Sequence, residues 1–237
     1  MSKNDVKLMG DGTLSGGAYG RVKIMGDSIV SGELEAEDLA VMGNISADEK
    51  VKTGKLKITG DGRFGTIAAD EISVSGSIEF RNAATVGVLD IMGEVKAYNG
   101  IKAKRIKVRG SIEDKKAIET ECFECYGGMD VNTLNAENIS IKLYGQNAAK
   151  EMVGSSINVI YPIYRKVLLG LFFFKRNWAS MEADTIEADR IYLERTTAAS
   201  VKGKEVNIGP GCKIKYLEYK DKITIDKSST VEKQVKV

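Results

Sequence analysis

VKIMGDSIVSGELEAEDLAVMG, residues 22–43, contains one short phrase twice: apolar, any, apolar, any, glycine. VKLMG precedes it and ends at Gly10, and LKITG, ISVSG, LDIMG, IKVRG and FECYG follow, ending at Gly60, Gly76, Gly93, Gly110 and Gly127. Successive glycines lie 16, 17, 17, 16, 17, 17 and 17 residues apart. A fixed period of this size signals a stacked repeat, because one unit alone cannot bury its apolar face. Within each phrase the alternation turns Val22 and Ile24 inward and Lys23 and Met25 outward, as a strand requires.

A second phrase, apolar-any-small, precedes most boxes: Leu34 with Ala36, Ile67 with Ala69, Ile101 with Ala103, Leu134 with Ala136. A third apolar spot follows the glycine at Ile29, Ile45, Ile78, Val95 and Ile112. Three short strands in about 17 residues make one triangular coil. The expected fold is therefore all-β, a right-handed parallel β-helix of roughly 12–13 turns, the hand following from the strong preference of parallel crossovers. Recurrent glycines and alanines suit corners where a larger side chain would strike the next turn.

The pattern outlasts Gly127 with its glycine displaced, at Ile139 with Ile141 and Ile157 with Val159. It resumes at Ile191 with Leu193, Val206 with Ile208, and finally Ile223 with Ile225. Ile157 and Ile191 stand two periods apart, so one turn's worth of sequence between them does not obey the repeat. The organisation read from this is a lead-in at 1–5, a coil at 6–159, an insertion at 160–178, more coil at 179–225 and a polar tail at 226–237. Val231, Val235 and Val237 could give that tail a weak strand.

The chain has 237 residues, is 43 % hydrophobic and 29 % charged, and carries a net charge of +2. That is the composition of a folded chain with no global field toward nucleic acid. No histidine occurs, which removes Ser-His-Asp and Cys-His catalysis and imidazole-based zinc sites. No phosphate loop is present either. No catalytic residue, metal ligand or cofactor is assigned. Three cysteines and no secretory leader at MSKNDVKLMG suggest a reducing, cytoplasmic setting.

Cys122 and Cys125 resemble half a metal or redox site, but Cys125 falls where other turns place Ile24, Val41, Ile58 and Val108. It reads as a core residue. The acidic groups Glu33, Glu35, Glu37 and Asp38, and Glu182, Asp184, Glu187 and Asp189, read as solvated faces. The basic run Lys102, Lys104, Arg105, Lys107 and Arg109 could bind nucleic acid but lacks the interleaved aromatics of such a surface, and lateral contacts between coils explain it as well.

Two surfaces are more unusual. The outward position before the glycine carries Met9, Met25 and Met42, which stacked turns would align into an exposed apolar ladder marking a lateral interface. The insertion holds only eight consecutive apolar residues from Val167 to Phe174, too few to span a bilayer as a helix. Cations and aromatics bracket them, as in segments that lie in a membrane interface. Its candidate membrane-contact residues are Arg165, Lys166, Leu168, Leu169, Leu171, Phe172, Phe173, Phe174, Lys175, Arg176 and Trp178. A flap packed on the coil is the other reading.

With its glycine-marked repeat, and with ISIKLYG (139–145), IYLE (191–194) and IGPGC (208–212), the chain resembles the bactofilins, bacterial polymer-forming cytoskeletal proteins, in their longer Gram-positive form. The resemblance runs from Val6 to about Ile225. It implies end-to-end polymerisation without nucleotide, at the inner face of the cell membrane, in the service of cell shape, cell-wall or flagellar assembly. The short apolar N-terminal motif of that family has no counterpart in MSKND, so membrane contact is assigned to the insertion. Uncapped coil ends supply an independent reason for self-association, since they expose strand edges and core. Val6, Leu8, Ile223 and Ile225 are the expected polymerisation ends. A polysaccharide-active β-helix enzyme and a monomeric binding scaffold are the alternatives.

Overall fold

The alternation of the boxes becomes ten strands in a computed structural model that describes residues 3–162 and 178–237. They are β1 (Asn4–Met9), β2 (Gly12–Met25), β3 (Ser28–Met42), β4 (Ile45–Phe80), β5 (Ala84–Ala97), β6 (Ile101–Ile160), β7 (Ser180–Leu193), β8 (Thr196–Ile208), β9 (Lys213–Ile225) and β10 (Thr230–Lys236). β1 through β10 are hydrogen-bonded in chain order in one sheet, and every strand pairing described is parallel. The protein is a parallel β-solenoid of about 13 turns with about 17 residues per turn. Several strands exceed one period, because the backbone bends at a corner without leaving the ladder.

The chain forms two compact units, residues 1–123 and 124–237. In the first, register stacks Val22 on Leu39, Leu39 on Leu56, and Ile24 on Val41 on Ile58. All are 0–1 % exposed. Burial of each such side chain is worth about 1.5–3 kcal/mol. Phe80 stands opposite the small Ala97, and both are buried. In the second unit the same inward positions hold Ile157, Ile191 and Val206, in register and buried.

Every box glycine from Gly10 to Gly110 has a positive φ, between +90° and +146°. A Cβ added at Gly26 would lie 2.7 Å from the carbonyl oxygen of Gly10, and those of Gly43, Gly60, Gly76, Gly93 and Gly110 would strike the preceding glycine's oxygen. Conformation and close approach therefore both demand glycine here. The residue after the glycine builds a second column. The Asp27 amide donates to Asp11 Oδ1 at 2.9 Å, Asn44 Nδ2 to Asp27 Oδ1 at 2.9 Å, and Ser77 Oγ to Asp61 Oδ1 at 2.6 Å. These carboxylates and amides join successive turns where the corner interrupts the sheet bonds.

One inward assignment needs correction. Ile29 does not belong with Ile45, because register places Ser28 opposite Ile45 and Ile29 opposite Ser46. The inward position is the second after the glycine, and Ile29 is the third, so alternation turns it out to 62 % exposure. Ser28 is buried in its stead with an unpartnered hydroxyl.

β6 pairs with β7 from Gln146–Ser180 to Val159–Leu193, and Ile157 faces Ile191. The coil thus keeps its register across the excursion that begins after Ile160. Residues 230–236 form β10, whose Val231 lies opposite Ile214 and whose Gln234 lies opposite Leu217.

Candidate assembly surfaces

The apolar columns change character at the outermost turns. Val6 and Leu8 of β1 stand opposite Val22 and Ile24. The inner pair is fully buried, whereas Val6 and Leu8 are half-exposed. Ile223 and Ile225 of β9 likewise stand half-exposed opposite buried Val206 and Ile208. Among the described residues β1 has one hydrogen-bonded neighbour, β2. β9 is paired with both β8 and β10, and the β10 pairing stops at Tyr219, before Ile223; a strand edge beside half-exposed apolar side chains favours pairing with another edge.

The lateral surface holds the methionines. Met9, Met25 and Met42 pair in register across β1, β2 and β3, and Met9 and Met42 are 65 % and 53 % exposed. Met92 is equally exposed, but the outward position next to Met42 is Thr59 and that next to Met92 is Ser75. The contiguous ladder is the three-residue one.

Glu194 and Arg195 meet Tyr161, one of the last described residues before 163. The Tyr161 amide donates to Glu194 Oε2 at 2.6 Å, and the Tyr192 hydroxyl donates to Glu194 Oε1 at 2.5 Å. The bond to this carboxylate pushes the Tyr192 hydroxyl up to about 12. The Arg195 guanidinium sits over the Tyr161 ring, 4.4 Å from its centre, in contact range for a cation–π interaction. Arg195 reaches that position through a φ of 48°, and its amide donates to Pro210 O at 2.9 Å. Trp178 is 56 % exposed. The other residues assigned to membrane contact, Arg165, Lys166, Leu168, Leu169, Leu171, Phe172, Phe173, Phe174, Lys175 and Arg176, lie outside the described residues. Among the described residues no helix is long and apolar enough to cross a membrane.

Cys125 is fully buried, and burial pushes its thiol up to about 12. Cys122 is half-buried, and neither is in a disulfide. Among the described residues no group of three or more Cys, Asp or Glu is arranged to hold a metal ion. The charged runs pair between turns: Lys3 and Lys52 with Glu35, Lys102 with Glu119, Arg109 with Asp90, and Lys204 with Asp189. Exposed pairs of this kind contribute little each.

The sequence reading missed the Asp11–Asp27–Asn44–Asp61 column and the Glu194–Arg195 clamp. The first had a signal, a polar residue after each of four glycines at the repeat period. The second had none, because Tyr161 and Glu194 stand 33 residues apart in the sequence.

These features define the class, a parallel β-solenoid with glycine corners. Over 65 residues the chain is 49 % identical to the uncharacterized protein YhbF of Bacillus subtilis (strain 168), which is 27 % of this chain and 28 % of that protein. It is 36 % identical over 105 residues to the uncharacterized protein YhbE of the same organism, covering 44 % of this chain and 43 % of that one. The chain thus matches less than half the length of either relative. No protein-family profile matches it, and no solved structure does.

Proposed function

We infer that the chain is a structural protein of the bactofilin type, whose copies stack end to end into filaments without nucleotide. On this reading it performs no catalysis. The filaments lie at the cytoplasmic face of the cell membrane as a scaffold for cell-shape, cell-wall or motility machinery. The single observation that supports this best is the gradient of burial along the apolar columns. Val22, Ile24, Val206 and Ile208 are sealed by a turn on either side, whereas Val6, Leu8, Ile223 and Ile225 are covered on one side. Stacking a second copy on such a turn would complete both the hydrogen-bond ladder and the columns. Membrane contact is assigned to residues 160–178, where the exposed Trp178 is suited to an interfacial position.

Sedimentation of the purified protein, compared with Leu8→Lys and Ile225→Lys, tests the stacking. The intact chain should pellet as polymer, and each variant should remain in the supernatant with an unchanged β circular-dichroism spectrum. Polymer of unchanged yield from both variants would overturn end-to-end stacking. Removal of residues 163–177 should abolish co-sedimentation with anionic vesicles and leave polymerisation intact.

A further inference from the structure

The methionine ladder is bordered by opposite charges. Two residues before each methionine, the outward position carries Lys7, Lys23 and Ala40 in successive turns, with Lys57 in the next. Among the described residues, none of these lysines has a carboxylate within salt-bridge distance. Two residues after each methionine, past the glycine corner, stand Asp11, Asp27 and Asn44. Asp11 and Asp27 each bond the next turn through Oδ1 alone, which leaves Oδ2 free to take a second partner. Along the strand direction the first two turns thus carry a cation, a thioether and, around the glycine corner, a carboxylate, while the Met42 turn is flanked by the neutral Ala40 and Asn44.

We propose that this face is an interface with a second copy of the chain, related by a two-fold axis that runs along the stacking direction. Charge selects that axis. Rotation about the stacking direction exchanges left and right and keeps the order of turns, so lysines of one copy meet aspartates of the other on both flanks. Rotation about the strand direction keeps left and right and sets lysine on lysine and aspartate on aspartate, which is repulsive. In the favoured arrangement every turn faces itself, with Met25 against Met25, Met42 against Met42 and Lys23 against Asp27. An isologous contact of this kind is self-complementary by construction, and methionine adapts readily to an apolar neighbour. Three turns at about 4.8 Å each give a patch well below the roughly 800 Å² per partner of a standard interface. The isolated pair is therefore weak, and any repetition of the patch along an assembly strengthens it. This pairing does not rest on end-to-end stacking.

The test is disulfide formation by Met42→Cys in a Cys122→Ser background, under mild oxidation at low salt. The expected result is a self-linked dimer, absent from a Lys52→Cys control and diminished as salt rises. End-to-end stacking cannot produce this link, because two turns separate Met42 from the outer edge of β1. Adding Lys23→Asp, an exposed change that leaves the thermal midpoint unmoved, should lower the yield about tenfold, in line with two lost charge pairs per dimer. No Met42 self-link, or a link only between Met9→Cys and Met42→Cys chains in a mixture, would overturn the proposed interface. So would a yield unaffected by Lys23→Asp.

Discussion

The two compact units solve one problem with different chemistry. Both bury two apolar side chains per box: Ile72 with Val74 and Ile106 with Val108 in the first, Ile157 with Val159 and Ile191 with Leu193 in the second. In the first unit the corner after the box is a glycine at positive φ from Gly10 to Gly110, stacked on its predecessor from Gly26 onward. In the second, among the described residues, only Arg195 and Gly211 have a positive φ. Near one of its corners Glu194 accepts from the Tyr192 hydroxyl and the Tyr161 amide. The difference teaches that the inward alternation specifies the coil, while the corner is a local solution.

The sharpest way to break that comparison is an alanine at a corner of each unit. Gly93→Ala meets both a φ of +139° and the carbonyl oxygen of Gly76, and should destabilise by about 3 kcal/mol or more. Gly145→Ala has an ordinary φ and a nearest neighbour at 3.3 Å, and should cost about 1 kcal/mol or less. Urea unfolding of the two variants measures this, and equal losses would show that the glycine column is not a constraint.

A second contrast sets inner turns against outer ones. Ile106→Asp puts an unpaired carboxylate into a fully buried column, at a cost of several kcal/mol, and should yield no protease-resistant protein. Ile223→Asp, on a half-exposed side chain of β9, should fold and fail to elongate. Resistant protein from Ile106→Asp would place the inward face wrongly.

A smaller effect comes from Asp114, buried in the first unit with Oδ1 bonded to the Lys116 amide and Oδ2 unpartnered. Burial holds its carboxyl above the usual carboxylate range. The folded state then binds the proton more tightly than the unfolded one. Stability is greatest below the unfolded value and falls as pH rises through the window between the two. Asp114→Asn should accordingly gain on the order of 1 kcal/mol at pH 7, and that gain should vanish below about pH 4. Unfolding curves at both pH values check the sign. A gain that persists in acid would assign it to packing.

The mildest probe compares the cysteines. At pH 8 a thiol reagent should label half-buried Cys122 readily and Cys125, fully buried with its thiol near 12, at least about a hundredfold more slowly. Comparable rates would mean that the turn containing Cys125 opens easily.

Much of this was legible because the repeat writes one physical requirement many times. A lone glycine says little, but eight at a fixed period could only be corners of a coil, and Cys125 could be placed in the core by register alone. Ile29 was misplaced because an apolar residue one step off the inward position looks like its neighbour until pairing fixes the phase. Asp114 was illegible, since nothing in its spacing distinguishes a carboxylate that closes on a local amide from one that faces solvent. Glu194 and Arg195 were illegible for a different reason: their partner Tyr161 is 33 residues from Glu194, across an excursion that obeys no period.

The central claim is that half-exposed outer turns drive end-to-end assembly. Negative-stain electron microscopy of the purified intact chain, without nucleotide and over a wide range of protein and salt concentration, measures it most directly. The account predicts long unbranched filaments one coil wide, or such filaments paired side by side. Discrete particles of single-chain size at every condition would contradict it.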